Sequence, residues 1–250
     1  MSILICFALK EEAAPFRKVA TGKSGVAILI TGIGRRNAEK SVRELLDGGA
    51  RASGAHQQAS RLLKNARIET GALPELVLTC GFAGGLNPDL KLCDVVFEIS
   101  RSRGDETQIK RERQPETPHV VSYEKLVAAG AKPAKFFCAD RIVITAAEKK
   151  KLRDETGADA VEMESEAVHA VCRERGIPCA TVRVISDTAN EDLPLDFNRL
   201  AKPDKSLDYG KLLWAIAKSP AKTGALMKLQ KRTRFAAERL AEVLAKIVFP

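Results

Sequence analysis

The sequence predicts a three-layer α/β domain, with helices on both faces of a central mixed, largely parallel sheet. Three observations predict it. Apolar runs of strand length alternate with segments of helical period along the chain, the order that builds parallel sheets. One run, Cys179 to Ile185, is apolar almost throughout, as a strand buried on both faces requires. The 250 residues, 45% apolar and 29% charged, suffice for one sizeable core and show no repeat or linker. A single domain over residues 1–250 is therefore expected, with basic C-terminal helices over 207–248.

In chain order, Ser2 to Ala8 reads as the first strand and Gly25 to Thr31 as the second, ending in Gly32-Ile33-Gly34. Asn37 to Leu46 and Gln57 to Ala66 read as helices, with a Gly- and Ala-rich turn over Asp47 to Gly54. Leu76 to Cys80 is a third strand that runs into the glycine turn Gly81-Phe82-Ala83-Gly84-Gly85, and Val95 to Ile99 is a fourth. Arg101 to Pro118 is charged and proline-bearing, a surface loop. Arg141 to Thr145 reads as a short strand and Glu162 to Arg175 as a helix stopped by Gly176-Ile177-Pro178. Helices near Leu207 to Lys218 and Lys222 to Ile247 finish the chain. In the last, Leu226, Leu229, Ala236, Leu240, Val243, Leu244 and Ile247 form a stripe expected to pack on the domain's own sheet.

Bulk properties narrow the function. No apolar run is long enough to span a membrane, and the N-terminus lacks the basic start of a signal peptide, so a cytoplasmic protein is expected. Six scattered cysteines with no CxxC pair read as reduced core residues. Three isolated histidines give no metal-ligand spacing, so no metal is expected. The net charge of +9 is concentrated: from Lys211 onward nine basic residues face only Glu238 and Glu242. That tail is either a solvated helix face or a surface that meets anionic lipid at the inner membrane face. Nucleic acid is disfavoured, because aromatic stacking residues are nearly absent from the tail.

In an open parallel sheet ligands bind beyond the carboxyl ends of strands. Three motifs lie there: Leu9-Lys10-Glu11-Glu12, the glycine turn after Cys80, and Ser186-Asp187. A fourth, Val161-Glu162-Met163-Glu164-Ser165, carries two more acids and a methionine. Each has an ordinary structural explanation as well. Ser186-Asp187-Thr188 is good N-cap chemistry, Glu162 suits the positive end of a helix dipole, Met163 suits a core, and Glu12 suits a surface helix.

Together with Thr181-Val182-Arg183-Val184-Ile185-Ser186-Asp187 and Leu92-Cys93-Asp94-Val95-Val96 after the glycine turn, these motifs resemble the nucleoside phosphorylase and nucleosidase superfamily from about Ile3 to Asp192. The resemblance implies cleavage of the N-glycosidic bond of a purine, adenine-type nucleoside without a cofactor. In this reading Asp187 protonates the base, Glu12 activates water, and Glu164 and Met163 hold the ribose. It places Glu162, Phe82, Ala83, Gly84, Arg141, Ile142, Arg183 and Ser186 around the substrate, and it implies a homo-oligomer.

Two departures from the family pattern shape the expectation. Thr79 and Phe82 stand where bacterial purine phosphorylases carry the arginine and serine that hold phosphate, which favours water. Gly34, Arg35 and Arg36 remain an alternative anion site for phosphate as co-substrate. Arg141 aligns where nucleosidases stack a phenylalanine on the purine; a guanidinium stacks too, but the methylthioadenosine substrate is then in question. The Gly32 to Glu39 segment with Gly81-Phe82-Ala83-Gly84-Gly85-Leu86, and the basic C-terminal helices, also resemble the hopanoid-associated phosphorylases, whose implied substrate is adenosylhopane. A nucleoside-binding protein without catalysis is the alternative from another class.

Overall fold

The structure is a computed structural model that describes residues 2–48, 73–99, 122–200 and 221–249. The expected helices at Gln57 to Ala66 and Leu207 to Lys218, and the loop Arg101 to Pro118, lie outside the described residues.

Eight strands form one mixed sheet: β1 Ile3–Phe7, β2 Val26–Ile30, β3 Leu76–Gly85, β4 Val95–Ile99, β5 Lys132–Pro133, β6 Phe136–Cys138, β7 Ala160–Glu162 and β8 Cys179–Asp187. The main order is β2-β1-β3-β8-β4-β5. The pairs β2-β1, β1-β3 and β3-β8 are parallel, whereas β4 runs antiparallel to β8 and β7 antiparallel to the end of β3. Because β2, β1, β3 and β8 point the same way, their carboxyl ends share one edge.

Helices α1 Lys10–Ala20 and α7 Ala221–Val248 cover one face of the sheet; α2 Arg35–Gly48 and α5 Ser165–Glu174 cover the other. Helices α3 Tyr123–Ala128, α4 Ala146–Thr156 and α6 Phe197–Leu200 complete the described elements. Alternation along β1 shows why both faces must be covered. Ile3, Ile5 and Phe7 pack with Phe16, Leu240 and Leu244, while Leu4 and Cys6 pack with Val168, Val171 and Cys172. The stripe on α7 packs on the sheet from Ala236 to Ile247, but Leu226 and Leu229 are only half-buried. All six cysteines are free, and five of them are buried. Among the described residues no helix is long and apolar enough to cross a membrane.

Three local expectations are corrected. The glycine segment Gly81 to Gly85 is no turn: it continues β3, paired with β8 across a register shift at Ala83/Gly84. Arg141 to Thr145 is not a strand. Glu148 accepts from the backbone N–H groups of Ile144 and Thr145, Thr145 caps α4, and the Asn198 carboxamide holds both backbone groups of Ile142. Side chains there supply the partners a neighbouring strand would have given. Glu162 does not open a helix but ends β7. Its carboxylate accepts from the backbone N–H groups of Glu164 and Ser165, so the helix begins only at Ser165.

Candidate active site

The shared edge gathers acids from three elements. Glu12 comes from the first turn of α1 just beyond β1, Glu164 from the link between β7 and α5, and Asp187 from the last residue of β8. All three are buried, as are Met163 and Ser186. The apolar strand β8 thus carries Asp187 out of bulk water, and the segments that follow β1 and β7 bury Glu12 and Glu164.

Arg183 on β8 holds one of these acids, Glu164, together with Glu162. It is 1% exposed. Its Nη2 lies 2.6 Å from Glu162 Oε2, 3.3 Å from Glu164 Oε2 and 3.2 Å from Thr79 Oγ1, and its Nη1 donates to the Cys80 carbonyl at 3.2 Å. Glu12 stands close by. Its Oε1 accepts from the Phe82 N–H at 3.0 Å and its Oε2 from the Leu9 N–H at 2.9 Å. Gly81 makes this approach possible. A Cβ there would sit 2.7 Å from Arg183 Nη1 and 2.8 Å from Glu12 Oε1, and its φ of +146° is itself glycine-like.

Three carboxylates around one guanidinium carry excess negative charge, and the buried groups divide it unequally. Burial raises Glu164 to about 7; Arg183 and the Gly34 amide oppose the rise, and the neighbouring Glu162 and Glu12 add to it. Burial also raises Glu12, against Arg183 and three backbone amides. For Glu162 burial works upward too, but Arg183, the Ser165 hydroxyl and two amides outweigh it and hold the group low. Glu162 is therefore the structural counterion, bonded on both oxygens. Glu164 and Glu12 keep the capacity to exchange a proton.

Asp187 is held differently. Its Oδ1 lies 2.7 Å from the Ser186 hydroxyl and its Oδ2 2.6 Å from the ammonium of Lys149. A Cβ at Gly84 would lie 3.2 Å from Asp187 Oδ2, so the glycine makes room for the acid. Gly81 faces Glu12 and Gly84 faces Asp187, three positions apart on β3. Both acids thus lie against the carboxyl-terminal half of β3.

Other expected site residues are placed elsewhere. The Gly34 N–H donates to Glu164 Oε1 at 2.8 Å, so the helix N-terminus read as an anion site already holds an anion, and that anion is Glu164. Arg35 pairs with Glu166 at 2.9 Å and Asp140 at 3.5 Å and donates to the Cys138 carbonyl; Arg36 is exposed. Arg141 is turned to solvent and held by Glu148 at 2.7 Å. Arg183 binds the protein's own acids, and Ala83 is packed in the core beside Ile185. Phe82 is half-buried at the mouth of a cleft of about 700 Å³ between α1 and α7. A larger cleft of about 1100 Å³ touches Arg35 and Ser165. Neither cleft is lined by Glu12, Glu164 or Asp187, so the chemistry of the side chains marks the site better than cavity size.

Lys149 escaped the sequence reading. In Glu148-Lys149-Lys150-Lys151 it looks like one of a solvated row. The available signal was its place three residues before Leu152, on the inward side of α4. Among the described residues no group of three His, Cys, Asp or Glu side chains is arranged to hold a metal ion.

Comparison with known proteins gives the class. The profile of the phosphorylase superfamily matches residues 8–216. The chain belongs to the phosphorylase superfamily. Among curated relatives it is 30% identical over 146 residues to the aminodeoxyfutalosine nucleosidase of Helicobacter pylori, covering 49% of this chain and 59% of that protein. It is 29% identical over 144 residues to the 5′-methylthioadenosine/S-adenosylhomocysteine nucleosidase of Shewanella halifaxensis, covering 50% of this chain and 62% of that protein. These matches thus span about three fifths of each relative. Its fold is similar to that of a Helicobacter pylori MTAN mutant with 5′-methylthioadenosine in the active site, with a TM-score of 0.62 at 19% identity, covering 99% of this chain and 97% of the other.

Proposed function

We propose that this protein hydrolyses the N-glycosidic bond of a purine nucleoside. One observation carries the reading: Glu12, Glu164 and Asp187 are buried along the shared edge, with Glu12 and Asp187 facing two glycines of one strand. Leaving-base departure needs a proton on the purine, and Asp187 at the end of β8 supplies it. Positive charge developing on the ribosyl fragment is met by the acidic cluster, and Glu164 accepts from the ribose hydroxyls. Glu12, made more basic by burial, takes the proton of the attacking water. Met163 lies buried between Glu162 and Glu164, where it offers the sugar an apolar contact.

Water is favoured over phosphate because two of the three residues read as an anion site are engaged, and only the exposed Arg36 is left. Gly34 and Arg35 bond to the protein's own acids, Thr79 holds Arg183, and three carboxylates repel an anion. The sequence relatives, both nucleosidases by name, support the same choice. A homo-oligomer is proposed on the family resemblance. A second reading, a lipid-tailed adenosine such as adenosylhopane met at an anionic membrane, is favoured by α7. There Met227 and Phe235 are 67% and 63% exposed beside the exposed Lys228, Lys231 and Arg234.

A panel of adenosine, inosine, methylthioadenosine and adenosylhopane, followed by chromatography of the freed base, separates the readings. Release from the soluble nucleosides supports the first. Release from adenosylhopane alone, with co-sedimentation on anionic vesicles, supports the second. Binding without release from any of them identifies a nucleoside-binding protein.

Glu164 adds a pH dependence. Its carboxyl is protonated below about 7 and ionised above, and only the ionised form offers both oxygens as acceptors to the ribose hydroxyls. Nucleoside Kd is therefore expected to fall as pH rises from about 6 to about 8, a range centred on that raised value. Calorimetry reads it directly, and Glu164→Gln should remove the dependence.

A further inference from the structure

Lys149 is a lysine at 0% exposure that the mechanism above does not use. Its three ammonium protons meet three acceptors: Asp187 Oδ2 at 2.6 Å, the Thr188 carbonyl at 2.8 Å and the Glu191 carbonyl at 2.9 Å. A buried cation this well satisfied is held in place by the fold. Asp187 in turn accepts on both oxygens, from Lys149 and from the Ser186 hydroxyl. Neither bond requires a proton on the carboxylate, and the nearest transferable proton is on Lys149 Nζ.

We propose that Lys149 and Asp187 act as one acid, Lys149 being the positioning residue that stores the proton Asp187 delivers to the leaving base. The inference rests on the nucleosidase reading above. An N–H bond of the ammonium breaks as an O–H bond forms on the Asp187 carboxylate. The amine that remains keeps two N–H bonds for the Thr188 and Glu191 carbonyls. The carboxyl O–H turns to the purine and passes its proton to a ring nitrogen, while the electron pair of the C1′–N bond moves onto the base. Asp187 is then a carboxylate again. Attack of water at C1′ places one proton on Glu12, and exchange through solvent returns a proton to Lys149, so the enzyme ends as it began.

The test uses the full-length protein with Lys149→Met, which keeps the bulk, and Lys149→Gln, which keeps a neutral donor. Turnover is compared on a purine nucleoside and on substrates whose leaving group needs no proton, 4-nitrophenyl β-D-riboside and an N7-methylated purine nucleoside. Both variants are expected to lose at least about 100-fold in kcat on the purine nucleoside, the size of an acid catalyst's contribution, yet stay within about threefold of wild type on the activated substrates. Equal losses on both kinds of substrate would show that Lys149 only shapes the site and would overturn the proposal. So would undiminished purine cleavage. Absence of wild-type turnover on all of these substrates would instead remove the nucleosidase reading, and this inference with it.

Discussion

Asp187→Asn is expected to lower kcat on a purine nucleoside by at least about 100-fold, with the protein still folded. The carboxamide fits the same space over Gly84 and keeps an oxygen for the ammonium of Lys149. It has no proton to transfer that Lys149 can replace. The loss should therefore fall on kcat far more than on KM, because base protonation matters in the transition state and little in the ground state. Steady-state kinetics on adenosine or inosine, with a thermal melt as the folding control, measures it. Turnover within a few-fold of wild type would contradict the assigned mechanism.

Arg183→Met should produce the largest loss of stability, about 3–5 kcal/mol, the usual cost of stripping a buried charge cluster of its counterion. Glu162 and Glu164 would lose a partner at 2.6 Å and 3.3 Å, and Glu12 the nearby positive charge that opposes its burial. Urea denaturation followed by circular dichroism measures the cost. Adding Glu164→Gln to Arg183→Met should recover part of it, since one buried negative charge is removed. A cost below about 1 kcal/mol for Arg183→Met would contradict a cluster held by one guanidinium.

Much of this arrangement was legible in the chain because burial dictates composition. β1 and β8 are continuous apolar runs, since a central parallel strand has helices on both faces, and they were placed to within two residues. The strands run the same way, so Glu12 and Asp187 lie at one edge, but that they come together was implied by the family resemblance and not by the order of elements along the chain. What stayed hidden depends on contacts between residues far apart in sequence. The Gly32-Ile33-Gly34 turn was read as an anion site for phosphate. Its anion is Glu164, 130 residues away, a pairing that local pattern cannot reveal. Strands β5, β6 and β7 are two or three residues long, too short for any periodicity to show. Glu162 looked like a helix-dipole residue, and its carboxylate does bond the amides that open α5, but from the end of a strand. Arg141 was read as a stacking residue; the N-terminus of α4 offers it Glu148 instead.

Release of free purine in phosphate-free buffer tests the central claim most directly. Purified protein, stripped of phosphate, is incubated with inosine and adenosine, and base and sugar are resolved by chromatography. The structure predicts free base and free ribose at the same rate whether or not phosphate is then added. Base release only after phosphate addition, with ribose 1-phosphate as the second product, would contradict it.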